Sequence, residues 1–397
     1  MNLSRITINL STQALLLWWL LLLPFSVLAE ATYEDRVLSS LESIQTANID
    51  STLKSLNQII DRYPNSKVSH LVLADILSIR AGSSSRIRDY HSGNTQLDGL
   101  RDELRYRWQH NMLESPAYSG FLPSDLIQIS YDQEHVLVVD ASAARLYVYQ
   151  NQLGALTLVD DFYVTVGKSG MGKVYEGDLR TPVGVYHVTS YIPGETLPDR
   201  YGPGAFPINY PNIIDKRHKR TGYGIWIHGT ESDNYNRVPL ASDGCVSLSN
   251  DEFLEIAKYI KTDGTTPVII SENFSWSDPK QIRAQQLSFK KLINQWKMDW
   301  ENRDHKNYIS HYSDTDFKNT EFDYKSWSAH KQSVNKSKNY IQIGIENLSI
   351  FSYPGEENLV IMRFDQDYRS DNYNSRSQKT LFWKLNDKKS WKIIFEG

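Results

Sequence analysis

Ser242-Asp243-Gly244-Cys245-Val246-Ser247-Leu248-Ser249-Asn250 contains the single cysteine of a 397-residue chain, and Gly224-Ile225-Trp226-Ile227-His228-Gly229-Thr230 lies a short way upstream. One cysteine cannot staple a chain to itself, so Cys245 is either an inert buried thiol or a reactive group. Its surroundings favour reactivity. The upstream segment reads as a strand ending on His228, a residue able to take the thiol proton and return it to a leaving amine. Gly244 permits a sharp turn just before the nucleophile, so the amides of Gly244 and Cys245 can face an oxygen that gains charge during attack. The Gly229 carbonyl can accept from one imidazole nitrogen and so fix the orientation of the ring, a task that falls to a carboxylate elsewhere.

Working outward, the chain divides into three regions. Residues 30–120 read as helical: Val37, Leu38, Leu41 and Ile44, then Leu53, Leu56, Ile59 and Ile60, recur at three- and four-residue steps. Tyr63-Pro64-Asn65-Ser66 is an expected turn before the helical run Val68–Ile79, Ala81–Ser85 an expected loop, and Asp98–Met112 a further helix. This region is expected to serve packing or homodimer formation. Residues 121–272 change to short strand-like runs, among them Val136–Val139, Arg145–Tyr149, Gly184–Ser190 and Thr266–Ser271, with one late helix at Asp251–Lys261. Serine, aspartate and proline then mark residues 273–284 as a linker. Residues 285–397 open with a helix carrying Leu292, Ile293, Trp296 and Trp300 and continue as alternating strands, which predicts an α+β unit.

Composition narrows the function classes. The formal net charge is −4 with no long basic run, which disfavours nucleic acid as a partner. Arg5, the apolar run Ala14–Val27 and the residues Val27-Leu28-Ala29 predict a signal peptide over residues 1–29 and a periplasmic location. An uncleaved inner-membrane anchor, with Trp18 and Trp19 at an interface, is the alternative. Gly167-Lys168-Ser169-Gly170-Met171-Gly172-Lys173 imitates a phosphate-binding loop, but Val174 stands where a magnesium-binding hydroxyl is needed. No histidine or carboxylate cluster has metal-ligand spacing. No cofactor is expected.

His-Gly, a gap, then Ser-x-Gly-Cys-hydrophobic resembles the signature of the L,D-transpeptidase (YkuD-type) catalytic domain. The upstream Gly177-Asp178-Leu179-Arg180-Thr181-Pro182-Val183-Gly184-Val185-Tyr186 resembles that family's Gly-Asp-x-x-Thr-Pro-x-Gly-x-Tyr/Phe stretch. The resemblance runs from about Ser130 to Ser271. It implies a mostly-β sandwich and a peptidoglycan stem-peptide substrate, with Cys245 attacking the carbonyl of the diamino acid and expelling the terminal D-alanine. An amine acceptor would make the enzyme a transpeptidase, which is the first expectation; water would make it an L,D-carboxypeptidase. A wall-binding scaffold with an inactive site is the third reading. Two positions depart from the family pattern: Asp243 stands where many members have histidine, and Ser247 where many have arginine.

The three-part order, with Trp296, Asp299, Trp300, Tyr308 and Trp391-Lys392-Ile393 in the last region, resembles the cell-shape-determining L,D-carboxypeptidase of helical bacteria and its NTF2-like/SnoaL-like C-terminal domain. That implies a peptide or wall ligand in the C-terminal domain. Candidate substrate-binding residues are Arg180, through a bidentate carboxylate pair, Tyr210 and Trp226 as groove walls, Asp243 facing an incoming amino group, and Ser242 shaping the turn.

Overall fold

The computed structural model describes residues 31–45, 48–82, 95–112 and 115–397. The expected export segment, residues 1–29, lies outside these, as do Ser83–Ser85 of the expected loop. No helix among the described residues is long and apolar enough to cross a membrane.

Among the described residues four helices form the N-terminal region: Tyr33–Gln45, Ile49–Arg62, Lys67–Arg80 and Thr95–Met112. Asn48 and Ser66 cap two of them, each accepting a hydrogen bond from a backbone N–H three residues on. The helices bury Val37, Leu56, Ile59, Val68, Val72, Ile76 and Leu100 against one another. Tyr63–Ser66 is the break between the second and third helices, where the polar turn ends one apolar stripe and starts the next.

The central region packs two sheets over one core. A five-stranded sheet has the order Ala155–Tyr163, Arg145–Gln152, His135–Asp140, Pro267–Ser271, Gly184–His187. A four-stranded sheet has the order Val246–Ser247, Trp226–His228, Gly204–Pro207, Ile192–Pro193. Leu137, Val139, Leu146 and Val148 from the first meet Phe206, Ile227 and Val246 from the second, with Phe253 and Ile256 of the helix Asn250–Ile256. The uninterrupted apolar run Val136–Val139 has a simple cause. Its strand is covered on both faces, since Val136 and Val138 pack on Tyr147, Tyr149, Ile269, Phe274, Ile282 and Phe351 on the other side.

In the C-terminal region the helices Pro279–Glu301, His305–Ser310 and Tyr324–Lys336 lie against a sheet of the long strands Trp391–Glu396, Asn374–Leu385, Leu359–Ser370 and Ile341–Ser352. Trp296, Trp300, Tyr308, Met362, Phe364 and Trp383 fill the space between.

Two boundaries differ from the sequence reading. The fifth strand of the C-terminal sheet is Leu126–Gln128, from the stretch assigned to the central region, with Phe351 opposite Leu126 and Ile350 opposite Gln128. The expected linker 273–284 is ordered: Trp276–Ser277 pairs with Leu122–Pro123, and the long helix starts at Pro279, capped by Asp278. Proline at the first helical position opens a helix rather than ending one. The two regions are therefore laced together by strands passing in both directions.

The N-terminal helices dock on the central region through buried charge. Glu34 accepts from Arg107 Nη1 (2.9 Å) and Arg145 Nη1 (3.0 Å), and Arg107 Nε donates to Glu103 at 3.1 Å. Arg107 also lies over the Tyr163 ring, 4.2 Å from its centroid. Each buried cation is thus matched by carboxylates or a ring face, as charges withdrawn from water must be.

Candidate active site

Strands Trp226–His228 and Val246–Ser247 run parallel, with Ile227 opposite Val246 and His228 opposite Ser247. Side chains alternate across a strand, so Ile227 and Val246 enter the core while His228 and Ser247 share the other face. Cys245 precedes Val246 and falls on the same face as His228. The register of one strand pair brings the thiol and the imidazole to one surface.

Around Cys245 the turn is built tightly. Gly244 has φ +123°, and a Cβ there would sit 2.8 Å from the Arg180 carbonyl oxygen. Ser242 Oγ donates to the Cys245 carbonyl (2.6 Å) and accepts from the Gly244 N–H (3.1 Å). The buried Thr181 hydroxyl donates to the Gly244 carbonyl (2.9 Å) and accepts from the Gly167 N–H (2.9 Å). Asp178 organises the loop before it, accepting from Lys173 Nζ and from the N–H groups of Val174, Tyr175 and Arg180. These bonds, the Lys173 bond first among them, hold its carboxyl below the usual range despite desolvation. Gly244→Ala is expected to cost about 1–3 kcal/mol of stability, since it adds a clash to a backbone conformation unsuited to L side chains; thermal melting measures it.

His228 is buried, and its Nδ1 lies 2.6 Å from the Gly229 carbonyl oxygen. A carbonyl only accepts, so Nδ1 carries the proton and Nε2 keeps its lone pair. Tyr201 packs edge-on to the imidazole (5.0 Å between centroids) and also against Trp226 (4.9 Å). Burial pulls the His228 pKa down to about 4, helped by nearby Arg237 and opposed by the Gly229 bond. The imidazole is therefore neutral at pH 7, the form a base requires.

The half-buried Cys245 Sγ accepts from the Trp226 N–H (3.4 Å) and donates toward the Gly224 carbonyl (3.5 Å). Burial raises its pKa to about 11; the Trp226 N–H, Arg237 and Lys173 act downward and Asp243 upward. Burial thus holds both the thiol and the imidazole toward their uncharged forms.

Several sequence-derived candidates sit differently. Tyr210 is a core residue, with its hydroxyl donating to the Thr221 carbonyl (3.0 Å), so it walls no groove. The Gly244 amide, expected to face a substrate oxygen, donates instead to Ser242 Oγ. Arg180 directs Nη1 to the Met171 carbonyl (2.8 Å), holding the glycine loop. Asp243 is exposed and pairs with Lys168 (2.9 Å). Ser242 is buried and bonded within the turn. Trp226 is partly exposed beside Cys245.

The sequence reading missed Thr181 as the tie to Gly244, although the Gly-Asp-x-x-Thr-Pro stretch pointed to it. It also missed Arg237, which no local pattern marks. In the C-terminal region, Trp296 Nε1 donates to Tyr312 (3.1 Å), Trp300 Nε1 donates to Asn335 (3.3 Å), and Asp299 lies 2.7 Å from His311 Nε2. These residues bond to one another inside the domain. Lys331, over the Trp300 ring at 4.1 Å, is buried, and desolvation lowers its pKa to about 8. Among the described residues no group of three or more histidine, cysteine, aspartate or glutamate side chains is arranged to hold a metal ion.

Comparison with known proteins follows the same division. Residues 134–270 match the model of the L,D-transpeptidase catalytic domain (YkuD), and residues 288–397 match that of the Cds6 C-terminal NTF2-like domain. Among solved structures, Bd1075 of Bdellovibrio bacteriovorus is 29% identical with a TM-score of 0.62, over 70% of this chain and 97% of that one. The helical cell shape determining protein Pgp2 from Campylobacter jejuni is 28% identical with a TM-score of 0.58, over 69% of this chain and 95% of that one. No curated protein sequence matches the chain.

Proposed function

For a chain that is an enzyme built on an L,D-transpeptidase catalytic domain with a Cds6-type NTF2-like domain behind it, we propose the hydrolytic form of the reaction: an exported L,D-carboxypeptidase that trims peptidoglycan stem tetrapeptides in the periplasm and so helps set cell shape. The observation that carries this reading is the extent of the likeness. It spans 95% of a helical cell shape determining protein and is not confined to the catalytic domain.

In the proposed mechanism Cys245 Sγ attacks the carbonyl joining the diamino acid to D-alanine while its proton passes to His228 Nε2. The Cys245 amide N–H donates to the carbonyl oxygen as that oxygen becomes negative. Collapse breaks the C–N bond, His228 returns the proton to the departing amine, and D-alanine leaves. A water deprotonated by His228 then cleaves the thioester, releasing tripeptide and restoring the thiol. Peptidoglycan strands reach the site as separate, externally supplied substrates; no cofactor enters any step.

Transpeptidation is the second reading, favoured by the family to which residues 134–270 match. Incubating the full chain with disaccharide-tetrapeptide, beside Cys245→Ala, separates the two. Tripeptide and free D-alanine are expected. Dimers joined between two diamino acids would establish transfer instead, and products identical to the control would overturn both.

A further inference from the structure

We propose that Arg237 is a positioning residue for the Cys245–His228 pair and that the N-terminal helices hold it there by gripping the residues on either side of it. The proposal rests on the thiol–imidazole chemistry put forward above, whichever acceptor resolves the thioester.

The geometry begins at Ser247. Its hydroxyl donates to the Gly229 carbonyl (2.7 Å), the same oxygen that receives His228 Nδ1. Arg237 Nη1 donates to Ser247 Oγ (3.1 Å), and Nη2 reaches the Ala241 carbonyl at 3.5 Å. A guanidinium thus polarises a hydroxyl that shares one acceptor with the base. Arg237 forms no close ion pair with a carboxylate among the described residues, although Glu231 is near enough to feel its charge. That charge eases the loss of a proton from the Cys245 thiol, while it also keeps the resting His228 imidazole neutral and able to receive one. Ser247 occupies the place where many members of the resembling family have arginine; here the cation arrives from a different loop.

Residues 235, 236 and 238 face the opposite way. Tyr235 packs on Tyr33 (4.4 Å between centroids) and Tyr63 (5.0 Å). Asn236 is 3% exposed; its Nδ2 donates to Glu103 (2.7 Å) and Tyr33 (3.1 Å), and its Oδ1 accepts from the Val68 N–H (3.3 Å). Val238 fills the space above Gly99, where an added Cβ would lie 2.5 Å from Val238 Cγ1. Three helices of the N-terminal region therefore seize this loop. From the central region Tyr163 donates to the Arg237 carbonyl at 3.1 Å. Arg237 is set by its neighbours' grip, with its own side chain left to the site.

The single cysteine makes the test clean, because iodoacetamide then reports on Cys245 alone. With the full chain, Arg237→Gln is expected to slow alkylation at pH 8 by about threefold to tenfold, the effect of losing one nearby positive charge from a thiol that is mostly protonated. Arg237→Lys should recover at least half of the rate. Asn236→Ala should slow alkylation in the same direction by releasing the loop. Thermal melting identifies the variants that remain folded, and kcat with KM on tetrapeptide should show the loss in kcat. Unchanged alkylation in folded Arg237→Gln would overturn the role of Arg237. Unchanged alkylation in Asn236→Ala, with Arg237→Gln impaired, would overturn the grip of the N-terminal helices. Alkylation needs no peptide substrate, so a failed tetrapeptide assay would count against the proposed function and not against this inference.

Discussion

Cys245→Ser is expected to reduce D-alanine release from tetrapeptide by ~10³-fold or more while leaving the fold intact. Serine is close in size and can keep the contacts of the thiol, accepting from the Trp226 N–H and donating to the Gly224 carbonyl. The loss is therefore chemical. A hydroxyl is a far weaker acid than a thiol, and the thiol is already raised to about 11 by burial. An imidazole held at about 4 is a weak base, and it draws a proton less readily still from a hydroxyl than from a thiol. Product chromatography measures the rate, and melting temperatures within a few degrees of the parent would assign the loss to chemistry. Retention of more than a tenth of the activity would remove Cys245 from the role of nucleophile.

His228→Gln is expected to cost ~10²- to 10⁴-fold in kcat/KM, the range for losing a positioned general base. The pH profile adds a sharper expectation. Burial brings His228 from 6.5 down to about 4, so the neutral base persists well below the usual histidine range. The acid limb of kcat/KM should fall near pH 4, and activity should change little between pH 6 and 7. Stability follows the same residue. Between the unfolded value of 6.5 and about 4, the unfolded chain takes up a proton on His228 that the folded chain does not. Its contribution thus destabilises the native state progressively as pH falls through that window. His228→Gln should lose less stability than the parent between pH 7 and 4.5. An acid limb centred near 6.5 would show that His228 is more open to water than the structure places it.

How much of this was readable beforehand depended on distance along the chain. His228, Gly229, Gly244 and Cys245 stand in two short segments whose residue types announce their chemistry, and the three-part architecture follows from changes in apolar period. Interactions that arise only on folding left no such trace. Leu126–Gln128 is an ordinary apolar triplet until it meets Ile341–Ser352 more than two hundred residues later. Tyr210 reads equally well as a groove wall or as core, and only packing distinguishes the two. The amide of Gly244 could have served the substrate, but Ser242, two residues back, reaches it first. Arg237 is one arginine among many until the neighbouring Asn236 is found buried against Glu103, Tyr33 and Val68. The departure at Ser247 was visible as a missing cation, whereas its replacement came from a loop whose course depends on another domain.

The strand Leu126–Gln128 has a consequence for how such chains can be recombined. A C-terminal piece cut at residue 279 would leave the Ile341–Ser352 strand with an unpaired edge, an invitation to self-association between separated pieces. Moving the NTF2-like domain onto another protein as a cassette would therefore require a loan of residues 122–128 or an engineered cover for that edge. Inheritance faces the same constraint. Shuffling at the apparent junction is penalised, and the catalytic and NTF2-like portions are expected to travel through evolution as a single exchangeable block.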